Sequence, residues 1–438
     1  MSVLLESLCP FFTISIDELK KYEKIHIYID LKNSFKALYI ENVYQELVEQ
    51  TYSQNNFISS LIFQSILLYV SKWKELIRSL DNIKEWKIFI ANDYGESIYH
   101  NNISKSYKVS RCLSTSLLDM RLSNIEEQTD VVESVKNKVK ENVLKLKTKL
   151  LTDENTKRIS KLQEKFRPIR NNNFNMAERF LNRYVKNVYF ITLKNIESDF
   201  VPYYLITRKF KDDDKILHII CSNDHDMYQA LLYDNIIQIF SSSKGVVTLD
   251  KKTVIPYYLY HSFGFLDNVK RELCSKITIK DLPILMSLSG DMGDDIVGLD
   301  GVGPVTAAKM LLDRRVTSSV IGDIDELKNR VNNGGMFLKT ETFIIPDNSI
   351  WNRILKKYKS ISDVNKILTS SYRLISFEQL CLWLEKNDSL FKKESLDILD
   401  YENYENKKTP ITSEAAEEVL KSLHDFVLPK ENLKLLME

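Results

Sequence analysis

Acidic residues recur at the ends of the β-branched and aromatic runs of this sequence. Asp30 ends KIHIYID (24–30), Asp93 follows WKIFIAN (86–92), Glu197 and Asp199 come shortly after VYFITL (188–193), and Asp224 and Asp226 close ILHIICSN (216–223). A single acid at a strand end is commonly a helix N-cap or a turn residue. Six are hard to explain that way, because carboxylates gathered in one cleft repel one another and raise each other's pKa. They call for cations. An oxygen-only donor set without His or Cys favours Mg²⁺ or Mn²⁺ over zinc. Many carboxylates, two ions and a parallel sheet make metal-assisted phosphoryl transfer the leading chemistry.

A second concentration of acid lies in SLSGDMGDDIVGLDGVGPVTAAKMLL (287–312). Gly298, Gly301 and Gly303 punctuate two helical runs, Pro304 stands at a first helical position, and Ala307, Ala308, Met310 and Leu311 begin a new apolar pattern. The spacing predicts a helix, a Gly-rich turn and a helix. Turn amides at a helix N-terminus can approach a phosphate where no side chain intervenes, although a Gly-rich turn alone is commonly just a tight turn. This one carries Asp291, Asp294 and Asp295 just upstream, which would bring more carboxylates to the rim of an acidic cleft.

These residues need elements to place them. Runs at 24–30, 86–92, 188–193, 216–223 and 236–240 read as strands, and helical patterns at 57–80, 197–209 and 225–233 separate most of them. The fold class is therefore α/β with a mainly parallel sheet, whose strand ends face one crevice where ligands bind. Between the second and third strands lies a long insertion without strand signal. Val132, Val135, Val139, Val143, Leu146 and Leu150 form a helical stripe there, flanked by Lys136, Lys138, Lys140, Lys145, Lys147 and Lys149. A further helical piece, Thr156 to Phe166, adds Lys157, Arg158, Lys161 and Lys165, and Pro168 is expected to end it. From Lys105 to Arg170 sixteen basic residues stand against nine acidic ones. Taken alone, this is a solvated helical hairpin. Its position at the sheet end that bears the carboxylates favours a basic face in which Lys138, Lys145, Lys149 and Lys157 meet a polyanion. After Val316 the chain reads as short helices around 351–358, 377–387 and 417–427, with no internal repeat.

Composition bounds the rest. The 438 residues are 44% hydrophobic and carry a formal net charge of +1, so any contact with a polyanion must come from local clustering. Cys9, Cys112, Cys221, Cys274 and Cys381 include no CxxC pair, which disfavours a disulfide framework or a thiolate zinc site. The N-terminal MSVLLESLCPFFTI lacks a basic leader, and the longest apolar run, around 61–70, is too short to span a bilayer. The expectation is a soluble, cytoplasmic protein with no membrane partner.

Five segments, in order, resemble the structure-specific 5′ nucleases: flap endonucleases, the 5′-to-3′ exonuclease domain of bacterial DNA polymerase I, and their phage relatives. The match is strongest to the bacterial and phage branch. GDMGDDIVGLDGVGPVTA resembles that branch's GDxxDNIxGxxGVGxxTA, with Asp295 for Asn. SNDHDMYQAL (222–231) resembles GDKDMxQL, and IESDF (196–200) resembles VEADD with Phe200 for the last Asp. Asp93 followed by YKVSR (107–111) is similar to the family's Asp and YKxxR, giving Tyr107, Lys108 and Arg111, while His100 stands where many members have Arg. Asp30 fits the first-strand Asp. The resemblance covers roughly Lys24 to Leu312, in islands.

It implies a PIN-like sheet flanked by helices, with domains at 1–23 (extension), 24–315 (nuclease, with a helical arch at 112–183 and a helix-three-turn-helix at 281–312) and 316–438 (mainly helical). It implies two Mg²⁺ (or Mn²⁺) held by Asp30, Asp93, Glu197, Asp199, Asp224, Asp226, Asp291 and Asp294. K⁺ at the helix-three-turn-helix is also implied. Asp224, Asp291, Lys108 and Arg111 carry catalysis in this reading, and Tyr107 and the turn glycines Gly298, Gly301 and Gly303 contact DNA. The substrates are flapped, nicked or 5′-ended duplex DNA, extending to RNA–DNA hybrids, in replication or primer removal within a bacterial or phage-infected cell. A replisome partner would bind the C-terminal region. The rivals are a catalytically silent nuclease-fold DNA-binding or replisome subunit and a PIN-group ribonuclease.

Overall fold

The computed structural model describes residues 21–37, 55–105, 107–108, 115–127, 132–242, 245–263, 272, 275–312, 350–358, 360–387, 399–423 and 428–438. In chain order its main elements are β1 (Lys24–Asp30), α1 (Leu31–Ala37), α2 (Asn55–Arg78), β2 (Glu85–Tyr94), α3 (Ile98–Ile103), α4 (Thr115–Glu127), α5 (Glu133–Thr152) and α6 (Glu154–Tyr184). There follow β3 (Val188–Lys194), β4 (Ile216–Cys221), β5 (Ile236–Ser242), β6 (Gly245–Leu249), α7 (Val254–Phe263), α8 (Leu282–Ser289), β7 (Gly290–Asp291) and β8 (Ile296–Val297). The last helices are α9 (Pro304–Leu312), α10 (Ile350–Leu355), α11 (Ile361–Ile375), α12 (Phe377–Lys386), α13 (Ser413–Leu423) and α14 (Lys430–Met437).

The described residues form two compact units that interleave in sequence, one within 1–95, 161–251 and 384–438 and the other within 96–160 and 252–383. The first contains a six-stranded sheet of order β3-β2-β1-β4-β5-β6, parallel except for β6. This is the mainly parallel, helix-flanked α/β sheet that the strand pattern predicts. The chain steps from β1 outward through β2 to β3, then restarts on the other side at β4. The switch point therefore lies between β1 and β4, where Ile29 is level with Cys221.

Alternation along β1 sorts its side chains. Ile25, Ile27 and Ile29 enter an aliphatic core with Ile62, Ile66, Val70 and Trp73 of α2, at helical spacing. His26 and Tyr28 turn to the other face, where Tyr28 stacks on Phe89 and donates or accepts a 2.8 Å bond with His218. Asp30 continues that second row and ends it. Both faces are covered, which explains why the strands read as nearly unbroken apolar runs.

Three expectations are corrected, the first being the helix at 225–233, which forms only a short 3₁₀ turn at Asp226–Ala230. Pro168 does not end a helix: α6 runs through it to Tyr184. A proline inside a helix costs about 3 kcal/mol. Here Phe174, Ala177, Phe180 and Leu181, all buried in the sheet's core, outweigh that cost. Nor is 197–209 one helix; Glu197 and Asp199 sit in a turn before a short helix at Val201–Tyr204 and a π-helical turn at Leu205–Lys209.

The end of the chain belongs to the sheet unit. Ala416, Leu420, Leu433 and Leu436 join the aliphatic core, and buried Lys74 donates to the Leu436 carbonyl at 2.6 Å. Lys408 donates to the carbonyls of Val185 and Val188 at 2.7 and 2.8 Å, across the joint between α6 and β3. Burial lowers its pKa to about 8.

In the second unit, α4 and α5 pack as a hairpin. Leu118 and Ile125 meet Val139, Val143 and Leu150, with Val297 of β8 against the cluster. Helix α8 is buried along almost its whole length and packs on α9 and α11. Among the described residues no helix is long and apolar enough to cross a membrane.

Candidate functional site

Five parallel strands point their carboxyl ends to one edge of the sheet, and the predicted acids of this unit follow four of them. Asp30, only 8% exposed, lies at the switch point. Its Oδ2 accepts from Ser222 Oγ at 2.9 Å and its Oδ1 from the Asn33 amide at 3.2 Å. Burial first, then the charge of Asp224, raises its pKa to about 6 against those hydrogen bonds, and Asp93 adds to the rise. Asp30, Asp93 and Asp224 thus share one electrostatic neighbourhood, as strand order requires.

Side chains outside the acidic motifs shape this edge as well. Lys32, two residues past Asp30, places its ammonium 2.8 Å from Asp93 Oδ2, and Ser198 donates to Asp93 Oδ1 at 3.2 Å. Ser198 lies between Glu197 and Asp199, both half-buried, and so ties their turn to β2. Ser222 accepts the Asp224 amide at 3.1 Å, and Asp224 Oδ1 accepts the amide of buried Asp226 at 3.1 Å. Beneath them, fully buried Gln238 donates from Nε2 to the carbonyls of Ser222 and Asp224, at 2.8 and 3.1 Å. Its signal in the sequence is a glutamine in the middle of the apolar run IIQIF.

The donors here are all oxygen, and a carboxylate whose pKa is raised by burial and by neighbouring acids is what a hard divalent cation would relieve. The residues present fit such an ion in kind. Among the described residues, no group of three or more His, Cys, Asp or Glu side chains stands ready to hold one. In this conformation Lys32 is the cation at Asp93.

In the second unit, Asp294 is a structural partner of the YK pair. Tyr107 donates to its Oδ2 at 3.2 Å, the Lys108 ammonium lies 3.3 Å from the same oxygen, and the Lys108 amide donates to its carbonyl at 2.9 Å. Lys108 takes a left-handed backbone, φ 53°. Tyr107, 5% exposed, is stacked on His100 at 4.4 Å, so its ring is packed inside and not offered to a base. His100 itself is fixed by Ser97 Oγ at 2.6 Å and the Leu374 carbonyl at 3.1 Å. Asp291 is half-buried and accepts the Gly293 amide at 2.7 Å. Arg111 lies outside the described residues.

The Gly-rich turn forms as predicted between α8 and α9, but its glycines differ in role. Gly298 is buried, and a Cβ there would collide with the backbone of Ser289 and Gly290, so it serves close packing. Gly301 is exposed at φ +75°, a region that favours glycine. Gly303 is half-buried, its carbonyl accepting the Ala307 amide at 2.8 Å.

The lysines of α5 and of the start of α6 fall into two rows. Lys140 and Lys147 pair with Glu126 and Asp119 of α4, closing the hairpin. Lys138, Lys145 and Lys149 are exposed; Lys145 pairs with Glu141 of its own helix and Lys157 with Glu154 of its own.

No protein-family model matches the chain, and no curated protein matches it. Solved structures that are similar include the bacteriophage T5 D15 protein co-crystallized with metal ions, at TM-score 0.47 and 13% identity, covering 86% of this chain and 98% of that one. Another is a mutant of the T5 5′-exonuclease, at TM-score 0.44 and 11% identity with the same coverage. A third is the T5 D15 flap endonuclease in a pseudo-enzyme–product complex with DNA and metal ions, at TM-score 0.42 and 14% identity, again with 86% and 98% covered.

Proposed function

We propose that the chain is a divalent-metal-dependent 5′ nuclease that hydrolyses phosphodiester bonds at DNA flaps, nicks or 5′ ends, extending to RNA in hybrids. The observation that carries this reading is the placing of Asp30 at the switch point of a parallel sheet, where burial first, and then the charges of Asp224 and Asp93, raise its pKa. Strand-end acids that destabilise one another in a metal-free protein make sense as ion ligands. Asp30, Asp93, Glu197, Asp199, Asp224 and Asp226 are the residues that would hold Mg²⁺ or Mn²⁺ in this unit; Asp291 keeps the role its motif implies. When bound, such ions activate water and stabilise the leaving oxygen.

The chain's own contributions are positional. Ser222 and Gln238 fix the Asp224 turn, and Ser198 orients Asp93 while Lys32 offsets its charge. Asp294 anchors Lys108, whose ammonium offsets phosphate charge, with Arg111 sharing that role.

The second reading is a nuclease-fold DNA-binding or replisome subunit without activity, favoured by the Lys32 ammonium, which already offsets the charge of Asp93. Incubation with 5′-labelled flap, nicked and hybrid substrates in Mg²⁺ or EDTA separates the two. Cleavage in Mg²⁺ alone supports the nuclease; tight binding with no cleavage in any metal supports the silent subunit.

A further inference from the structure

The Gly-rich turn lacks a cation of its own. Residues 296–308 contain no Lys or Arg, Lys309 comes only in the second turn of α9, and Asp291, Asp294, Asp295 and Asp300 make the stretch acidic. A phosphodiester approaching the turn would meet net negative charge unless a cation came from elsewhere.

Helix α10 supplies one. Fully buried Trp351 donates from its indole to the Met310 carbonyl at 3.2 Å, which anchors α10 on α9. Just past the end of α10, Lys357 reaches back to the turn, its ammonium 3.1 Å from the Asp300 carbonyl oxygen and 3.2 Å from Asp300 Oδ2. Tyr358 beside it accepts the Asp300 amide on its hydroxyl at 2.5 Å. Gly301 leaves room for this arrangement, since a Cβ there would come within 2.6 Å of Lys357 Nζ. Lys357 and Asp300 are both solvent-exposed, so a phosphate oxygen can replace the Asp300 carboxylate while the carbonyl contact stays.

We propose that Lys357, held at Gly301 by Asp300, is the phosphate-binding cation of the turn, and that its ammonium contacts the sugar–phosphate backbone of a nucleic-acid duplex. The inference rests on the nucleic-acid reading above. Because a phosphate contact carries no base information, binding at this point is independent of sequence.

The test is fluorescence anisotropy of a labelled blunt duplex in EDTA, over a range of salt, with the full chain. Lys357→Met should weaken binding roughly three- to tenfold and lower the salt slope by about one. Lys357→Arg should recover most of both, and Asp300→Asn, which removes the competing carboxylate, should tighten binding. A Lys357→Met protein with wild-type affinity and slope would overturn the inference, as would weaker binding at an unchanged slope, the mark of a brace alone. Should that variant not fold, Asp300→Asn decides, since unchanged or weaker binding contradicts the competition. If the wild type binds no duplex, the nucleic-acid reading falls with it; if it binds and Lys357→Met does not matter, this inference falls alone.

Discussion

Ser222 joins Asp30 to Asp224 across the switch point of the sheet. Its hydroxyl donates to Asp30 Oδ2 at 2.9 Å and accepts the Asp224 amide at 3.1 Å, so one small side chain positions acids that follow β1 and β4. Hydrogen bonding does not cancel the cost of burying Asp30 and setting it beside Asp224, which together raise its pKa to about 6.

That cost sets a pH dependence for the metal-free chain. The folded-state pKa of Asp30 is raised above its unfolded value near 4, so the folded protein binds the extra proton between about pH 4 and 6. The stability it contributes is full below pH 4 and is lost as pH rises through 6, a change of about 3 kcal/mol. In EDTA, Asp30→Asn should therefore raise the melting midpoint at pH 7.5 and change it little at pH 4. A variant that melts lower than wild type at neutral pH would show that Asp30 carries no such strain.

Lys408 makes the chain's last segment part of the fold. Removing its ammonium leaves the Val185 and Val188 carbonyls without their donor, in a joint where water has little access. Lys408→Met should cost about 2–4 kcal/mol in denaturant unfolding. A loss under about 0.5 kcal/mol would mean that the segment is a loose appendage.

The two lysine rows of α5 should separate by experiment. Neutralising Lys138, Lys145, Lys149 and Lys157 together should weaken flap-DNA binding and flatten its salt slope, by about one unit for each phosphate that a lysine no longer neutralises. Neutralising Lys140 and Lys147 should instead loosen the α4–α5 hairpin, seen as faster proteolysis there, with the slope kept. Equal slopes in wild type and the quadruple variant would make the exposed row a solvated face.

Where periodicity is strong the fold is legible in the sequence. The five parallel strands, α2, the α5 stripe and the helix–turn–helix around Gly298 to Gly303 all stand where apolar spacing and glycine place them. The strand-end acids are legible for the same reason, since parallel strands share one carboxyl edge. What stays hidden depends on partners distant in sequence. Nothing local marks Lys408 as a clamp on Val185, or Lys357 as the cation of a turn 57 residues away. Helix α11 lies outside the predicted helices although Ser360, which accepts the Asp363 amide at 3.1 Å, is a plain N-cap signal. Nothing local in either motif shows that Tyr107 donates to Asp294 Oδ2.

The central claim is that the acids at the carboxyl edge of the sheet hold divalent ions, and calorimetric titration of Mn²⁺ into the metal-free protein tests it most directly. Wild type should bind with measurable heat and melt higher with the ion present, and Asp224→Ala, still folded, should lose most of that binding and of the melting shift. Identical titration curves for wild type and Asp224→Ala, or no binding by wild type, would contradict the account.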